Sequence, residues 1–321
     1  MSGKHSVPVQ AAAPQDMHFE YTVLKGYFKQ SEDSTDDTRF DFKKSHFGLI
    51  DRAYDTDAQG PNDSQWARFT THIRHLVGQD ASVKVLFLGR HGQGWHNVAE
   101  SKYGTQAWDC YYSTLDGYDG LTWADAHLTP TGRQQALDVQ ALWKQQIGLG
   151  MPPPETFYVS PLTRAVQTAD LSFDAWHRAY QPYLQEGCRE ALGIHTCDRR
   201  STRSQIQTAF PHVVFEPGFV EEDALWERDY REPQSARRYR LAMWLDGVWA
   251  TDDNVFVSLT SHSGAIASIL EVLGHRRFAL ETGGVIPVVV RADKVQGKRE
   301  VPAKEPSDSP PICDKPPPDV S

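Results

Sequence analysis

The sequence predicts an α/β protein, a three-layer α/β/α sandwich built on a mostly parallel central sheet. Two observations predict it. Short, nearly continuous apolar runs alternate with longer stretches of helical period over residues 80–292, with no obvious linker to divide them. Three of those runs also end in polar segments rich in Arg, His and Ser that lead straight into helices, as strand ends do in an open α/β sheet.

The elements follow in order. Residues 1–45 are polar and irregular, with an acidic patch at Glu32, Asp33, Asp36 and Asp37. Their aromatics (Phe19, Tyr21, Tyr27, Phe28, Phe40, Phe42) predict an arm that packs on a domain rather than a disordered tail. In residues 64–76, Trp66, Phe69, Ile73 and Leu76 recur at helical spacing after a Ser cap. Residues 83–88 read as a buried parallel strand. Residues 131–146 follow as an amphipathic helix, residues 156–159 as a second strand, and residues 161–176 as a helix with Pro161 in its first turn. Residues 235–249 predict another helix. A third strand at 254–260 leads into a helix at 264–273, and a fourth strand spans 285–290. Residues 295–321, rich in Pro, Lys, Asp and Ser, are expected to be a flexible tail. The expected organisation is an arm at 1–45, one domain at 46–294 and a tail at 295–321.

Composition narrows the function. The 321 residues are 39% hydrophobic and 23% charged, as for a soluble globular protein. A net charge of -9 argues against a nucleic-acid partner, which needs a clustered basic surface, but not against one phosphorylated metabolite held by two or three cations. No stretch reaches the ~18 apolar residues that suggest a membrane span, so no membrane partner is expected. Residues 1–30 lack the apolar core of a secretory signal. Cys110, Cys188, Cys197 and Cys313 form no CxxC pair and read as reduced thiols, so the cytoplasm, or the nucleus, is expected rather than secretion.

The chemistry gathers at three predicted strand ends: residues 88–97 with Arg90, His91, His96 and Asn97; residues 160–169 with Arg164; and residues 260–265 with His262. Two arginines and two histidines beside helix starts make a site for a dianion, because Arg offers a bidentate fork and helix starts offer free N–H groups. A metal set of His91, His96 and Asp125 is disfavoured: the five-residue His spacing does not match HExxH, and no carboxylate cluster accompanies it. Gly89, Gly92 and Gly94 fit neither GxGxxG nor a Walker loop, and are expected to let backbone approach a phosphate. Trp95, Trp108 and Trp123 are placed either in packing or along a substrate pocket.

Arg90-His91-Gly92, Ser160-Pro-Leu-Thr-Arg-Ala-Val-Gln-Thr-Ala169, Thr260-Ser-His-Ser-Gly264 and Leu128-Thr-Pro-Thr-Gly132 together resemble the motifs of the histidine phosphatase superfamily, in its order. Arg90 to Asn97 and Arg189-Glu-Ala-Leu-Gly-Ile-His-Thr-Cys-Asp198 resemble a fungal and plant phosphomutase-like branch. The resemblance spans residues 83–292. It implies that His91 is the nucleophile that becomes a phosphohistidine, that Arg90, Arg164 and a protonated His262 hold the phosphoryl oxygens, and that Asn97 donates to the phosphate or the substrate. It also implies no metal or other cofactor. Glu190 is the expected proton donor for the leaving alkoxide, since Ser263, not an acid, follows His262; Glu221, Glu222 and Asp198 are alternatives.

Three functions compete. The first is a phosphatase of small phosphorylated metabolites. The second is a phosphomutase, against which stand Gln93-Gly94 in place of the mutases' usual Glu-Ser and the absence of an evident lid in the tail. The third is a non-catalytic module that binds a phospho-ligand or a protein.

Overall fold

In a computed structural model, which describes residues 16–57, 63–79, 82–174 and 180–317, a seven-stranded sheet runs through the molecule. Its strands are β1 (Met17–Val23), β2 (Val83–Arg90), β5 (Thr156–Val159), β6 (Pro182–Leu184), β7 (Val214–Phe215), β8 (Phe256–Ser261) and β9 (Val285–Gln296). A short β3–β4 hairpin (Gly117–Tyr118, Leu121–Thr122) stands apart, turned by Asp119 and Gly120 at positive φ. The order is β1-β9-β2-β8-β5-β6-β7. Every pair from β2 to β7 is parallel, while β9 runs antiparallel to both β2 and β1. The predicted sandwich is what the chain forms.

Alternation along β2 separates the two outer layers. Val83, Val85 and Phe87 pack against α1 (Gln65–Gln79) and α4 (Pro130–Gly148) through Trp66, Phe69, Ile73, Leu142 and Trp143. Leu86 and Leu88 face α7 (Gln234–Thr251) and α8 (Ser263–Val272) through Leu241, Leu245, Ile266 and Ile269. A strand covered on both faces has no polar side to show, which is why these runs read as continuously apolar. The remaining helices are α2 (Trp95–Tyr103), α3 (Thr105–Cys110), α5 (Thr163–Phe173) and α6 (Arg203–Ala209). The end of the helix expected to reach residue 176 lies outside the described residues. Its start falls at Thr163 rather than Pro161, because Asp125 accepts hydrogen bonds from the Thr163 backbone N–H and hydroxyl.

Two expectations change at the ends of the chain. Met17–Val23 is a strand of the sheet, paired along its seven residues with β9, while Tyr27, Phe28 and Phe42 of the expected arm pack into the core; residues 1–15 of that arm lie outside the described residues. The tail is not loose either. Arg299 ion-pairs with Asp246 on α7, the Tyr230 hydroxyl donates to the Glu305 carbonyl (2.9 Å), and the Arg231 N–H donates to Ser307 Oγ (2.8 Å). A disulfide then joins Cys313 to Cys110 at the end of α3. The four-thiol reading is therefore corrected: only Cys188 and Cys197 are free, both buried. Spacing could not reveal a pair separated by 203 residues.

Candidate active site

The parallel strands deliver the site at their carboxyl ends, where ligands bind in open α/β sheets. Arg90 ends β2 and His91 follows it; Arg164 lies in the first turn of α5 after β5; His262 caps α8 after β8. His91, Arg164 and His262 are 2%, 1% and 0% exposed, so their charges act in a medium far less screening than water. The His91 ring lies 5.1 Å from that of His262 and 5.3 Å from that of His96.

Glycine makes this approach possible. A Cβ on Gly92 would lie 2.3 Å from the Gly132 carbonyl oxygen, and one on Gly132 would lie 2.1 Å from the Gln93 carbonyl oxygen. The start of α4 thus sits back to back with the loop carrying His91, which accounts for the Leu-Thr-Pro-Thr-Gly motif. Thr129 caps α4 and donates to Gln93 Oε1, while Gln135 Oε1 accepts from the Gln93 N–H.

Hydrogen bonding fixes the tautomer of His91. Its Nδ1 lies 2.7 Å from the Gly92 carbonyl, which can only accept, so Nδ1 carries the proton and Nε2 keeps its lone pair. Arg164 Nε donates to that Nε2 at 3.2 Å. Burial first, then the Arg164 charge, pushes the His91 pKa well below its ordinary value, and the imidazole is neutral as a nucleophile must be.

Arg164 is itself held from behind. Its Nη2 pairs with Asp198 Oδ1 at 2.8 Å and its Nη1 donates to the Cys197 carbonyl; Asp198 Oδ2 pairs with Arg231 Nη1 at 2.9 Å. Burial alone would raise the Asp198 pKa, but the Arg231 and Arg164 charges outweigh it and keep the carboxylate ionised. Asp198 is thus an anchor for the phosphate arginine, not a proton donor. Arg231, absent from every motif, completes the relay.

His262 Nε2 lies 2.7 Å from Ser160 Oγ. Burial, followed by the charges of Arg164, His91 and His96, drives its pKa well down in the protein alone; a bound dianion would oppose that shift and favour the protonated state expected for it beside a phosphoryl group. Arg90 is tied by one nitrogen to the Leu280 carbonyl (2.8 Å). Three buried polar atoms here have no hydrogen-bond partner among the described residues: Arg90 Nε, His96 Nδ1 and His262 Nδ1. Buried polar groups without partners are rare, and a cluster of them marks where a ligand's oxygens belong.

Glu190 lies beside this set. Its Oε2 accepts from the Gly264 N–H at the start of α8 and its Oε1 from its own neighbour Ala191 N–H, both at 2.9 Å. Glu221 and Glu222 are exposed, and Glu221 bonds Ser204 instead. Asn97 Oδ1 is occupied in capping α2 through the Gly94 N–H (3.0 Å), so only its amide NH2 is left for a substrate. Asp125, weighed as a metal ligand, bonds Thr163 and Ser201. Among the described residues, His195, Cys197 and Asp198 form the group whose spacing suits a metal, but both Asp198 oxygens already bind guanidinium groups. Trp108 and Trp123 are buried with Tyr112 and Ala126 in the small core of the 98–127 insertion; Trp95 is half-buried. Sequence reasoning missed Glu100, whose pKa is raised by burial and which lies near Arg90.

A buried neutral imidazole backed by two arginines and two further histidines defines a phosphoryl-transfer site. The chain belongs to the histidine phosphatase superfamily, branch 1, whose family model matches residues 116–289, an interval that holds Arg164, Glu190 and His262 but begins beyond His91. It is 45% identical over 295 residues to a "probable phosphoglycerate mutase" of Arthroderma benhamiae, covering 89% of this chain and 88% of that one. To "phosphomutase-like protein 3" of Candida albicans it is 34% identical, covering 84% and 80%. Among solved structures, a mycobacterial glucosyl-3-phosphoglycerate phosphatase aligns with a TM-score of 0.40 at 18% identity, covering 65% of this chain and 97% of that one. Among the described residues, no helix is long and apolar enough to cross a membrane.

Proposed function

We propose that the chain hydrolyses phosphomonoesters of small metabolites through a phosphohistidine on His91. The observation that carries this reading is the Nδ1 hydrogen bond of His91 to the Gly92 carbonyl, which leaves Nε2 as a lone pair facing Arg164. Nε2 attacks phosphorus in line, the P–O bond to the alcohol breaks, and the departing oxygen takes a proton from Glu190. Water then attacks the phosphohistidine, gives its proton back to Glu190 and releases phosphate. Arg90, Arg164 and His262 hold the equatorial oxygens throughout, with Asn97 supplying an amide N–H.

Phosphomutase activity is the second reading, favoured by the names of the relatives. Gln93 and Gly94, standing where mutases usually carry Glu-Ser, favour water as acceptor. Phosphate release from an aryl phosphate and from a metabolite panel, with rapid-quench trapping of an acid-labile phosphoenzyme, tests the proposal. Phosphoryl interconversion without release would favour the mutase, and unchanged turnover in His91→Ala would sink the covalent mechanism.

A further inference from the structure

His96 is not used by the mechanism above. The residue is 8% exposed, and neither ring nitrogen hydrogen-bonds a group of the described residues. Its ring stands at nearly the same separation from His91 as that of His262, 5.3 Å against 5.1 Å. A buried imidazole nitrogen with no partner is costly and is tolerated where something else answers it.

Gly94 shows what that is. A Cβ built on Gly94 would lie 2.6 Å from His96 Nδ1, 2.7 Å from its Cε1 and 3.5 Å from Cδ of Arg164. A side chain at position 94 would therefore point at the phosphate arginine, and the His96 ring occupies that space instead. With a Cβ at 94 the His96 ring would have to shift from this place.

We infer that His96 is a phosphate-contacting residue, its Nδ1–H donating to a phosphoryl oxygen from the position that a residue-94 side chain would otherwise hold. The phosphoryl group then lies between two imidazoles, His96 and His262, with Arg90 and Arg164 completing its surround. Burial and the charges of Arg164, His91 and Arg90 keep His96 neutral in the protein alone, so it contributes a directed N–H rather than a competing fixed charge. The inference rests on the phosphatase reading and deepens it.

The test uses the full-length protein, an aryl phosphate as substrate and inorganic phosphate as competitive inhibitor. His96→Phe keeps the ring and removes both nitrogens. The inhibition constant for phosphate should rise about tenfold or more, kcat/KM should fall in parallel, and the melting temperature should hold or rise, since an unpartnered polar group has left the interior. His96→Gln, which keeps a donor, should recover part of the loss, and Gly94→Ala should weaken phosphate binding by displacing the ring. Unchanged phosphate inhibition in His96→Phe overturns the inference, as does a loss of fold in both His96 variants, which makes the residue structural. If the wild type neither turns over substrate nor is inhibited by phosphate, the phosphatase reading itself fails, a result distinct from the other two.

Discussion

Two regions around the candidate site are built differently. The phosphate end stands on strand termini: Arg90, His91, Arg164 and His262 are placed by β2, β5 and β8, and their side chains are buried or nearly so. The other region is assembled from insertions. The 98–127 segment carries its own aromatic core, the 186–233 segment is laced by Arg189, Arg200 and their carboxylates, and the tail is stitched across both by Tyr230, Arg231 and Cys110. A rigid sheet can set phosphoryl chemistry within tenths of an ångström, while insertions can vary to suit the alcohol. Asp198 and Arg231 belong to the second region but anchor Arg164 in the first, so the two regions are coupled there, as they are through Asp125 with Thr163 and Glu190 with Gly264.

The strongest break in the comparison is His91→Ala. It should lower kcat at least about 10⁴-fold and abolish the trapped phosphoenzyme while leaving the fold intact, as removal of a covalent nucleophile does. Next is Glu190→Gln, with an expected loss of about 10²–10⁴-fold on alkyl phosphates. The loss should shrink sharply on p-nitrophenyl phosphate, whose leaving group needs no proton. An equal loss on both substrates would assign Glu190 to capping α8, through its bond to Gly264, rather than to proton transfer.

Asp198→Asn tests the first of these couplings. It strands Arg164 and Arg231 as buried cations, and breaking a buried pair costs about 3–5 kcal/mol. Denaturant midpoint and KM should both suffer; a loss of stability with KM intact would show that Arg164 keeps its aim without the carboxylate. Cys313→Ser should act on the second region alone. Stability should fall by about 2–4 kcal/mol, with the phosphate inhibition constant unchanged, because among the described residues the tail bonds Arg231, which reaches Arg164 through Asp198, and not Arg164 itself.

How much of this was legible follows the same division. β2, β5 and β8 are short apolar runs covered on both faces, and the motifs at their ends exposed Arg90, His91, Arg164 and His262 directly. β1 was not legible, because its polar and aromatic alternation acquires meaning only through a partner more than 260 residues away. The tail looked like linker because Pro-rich composition reports its lack of secondary structure and not its tertiary contacts. Asp198 was read as a spare acid, and Arg231 not at all, since an ion-pair relay between distant loops leaves no local pattern. His96 was visible but given no role beyond a disfavoured metal set, because sequence could not show that its ring fills the space beside Gly94.

The finest discrimination comes from pH, because buried imidazoles and buried carboxylates respond in opposite directions. At the phosphate end, burial lowers the pKa of His91, His96 and His262, and in the 186–233 segment it pushes that of His195 down to about 3. Their ordinary value in the unfolded chain is about 6.5, so below that pH the unfolded chain binds protons that the native state refuses. Stability must fall as pH drops through this window, by at most about 1.4 kcal/mol per pH unit for each imidazole. Glu216, pushed up to about 7 by burial, takes up a proton in the native state and offsets one of the four. In the 98–127 segment, burial raises the pKa of the half-buried Glu100 and Asp109, which favours the native state as pH falls through their folded values, above the unfolded value of about 4. Urea midpoints measured from pH 8 to 4 should therefore fall from about 6.5 downward and flatten toward pH 4. Saturating inorganic phosphate should make the upper part of the fall shallower, because a bound dianion lets His262 accept its proton in the native state. An unchanged slope with phosphate would mean that the histidines are not titrating against the ligand, and that the phosphate end is held by its arginines alone.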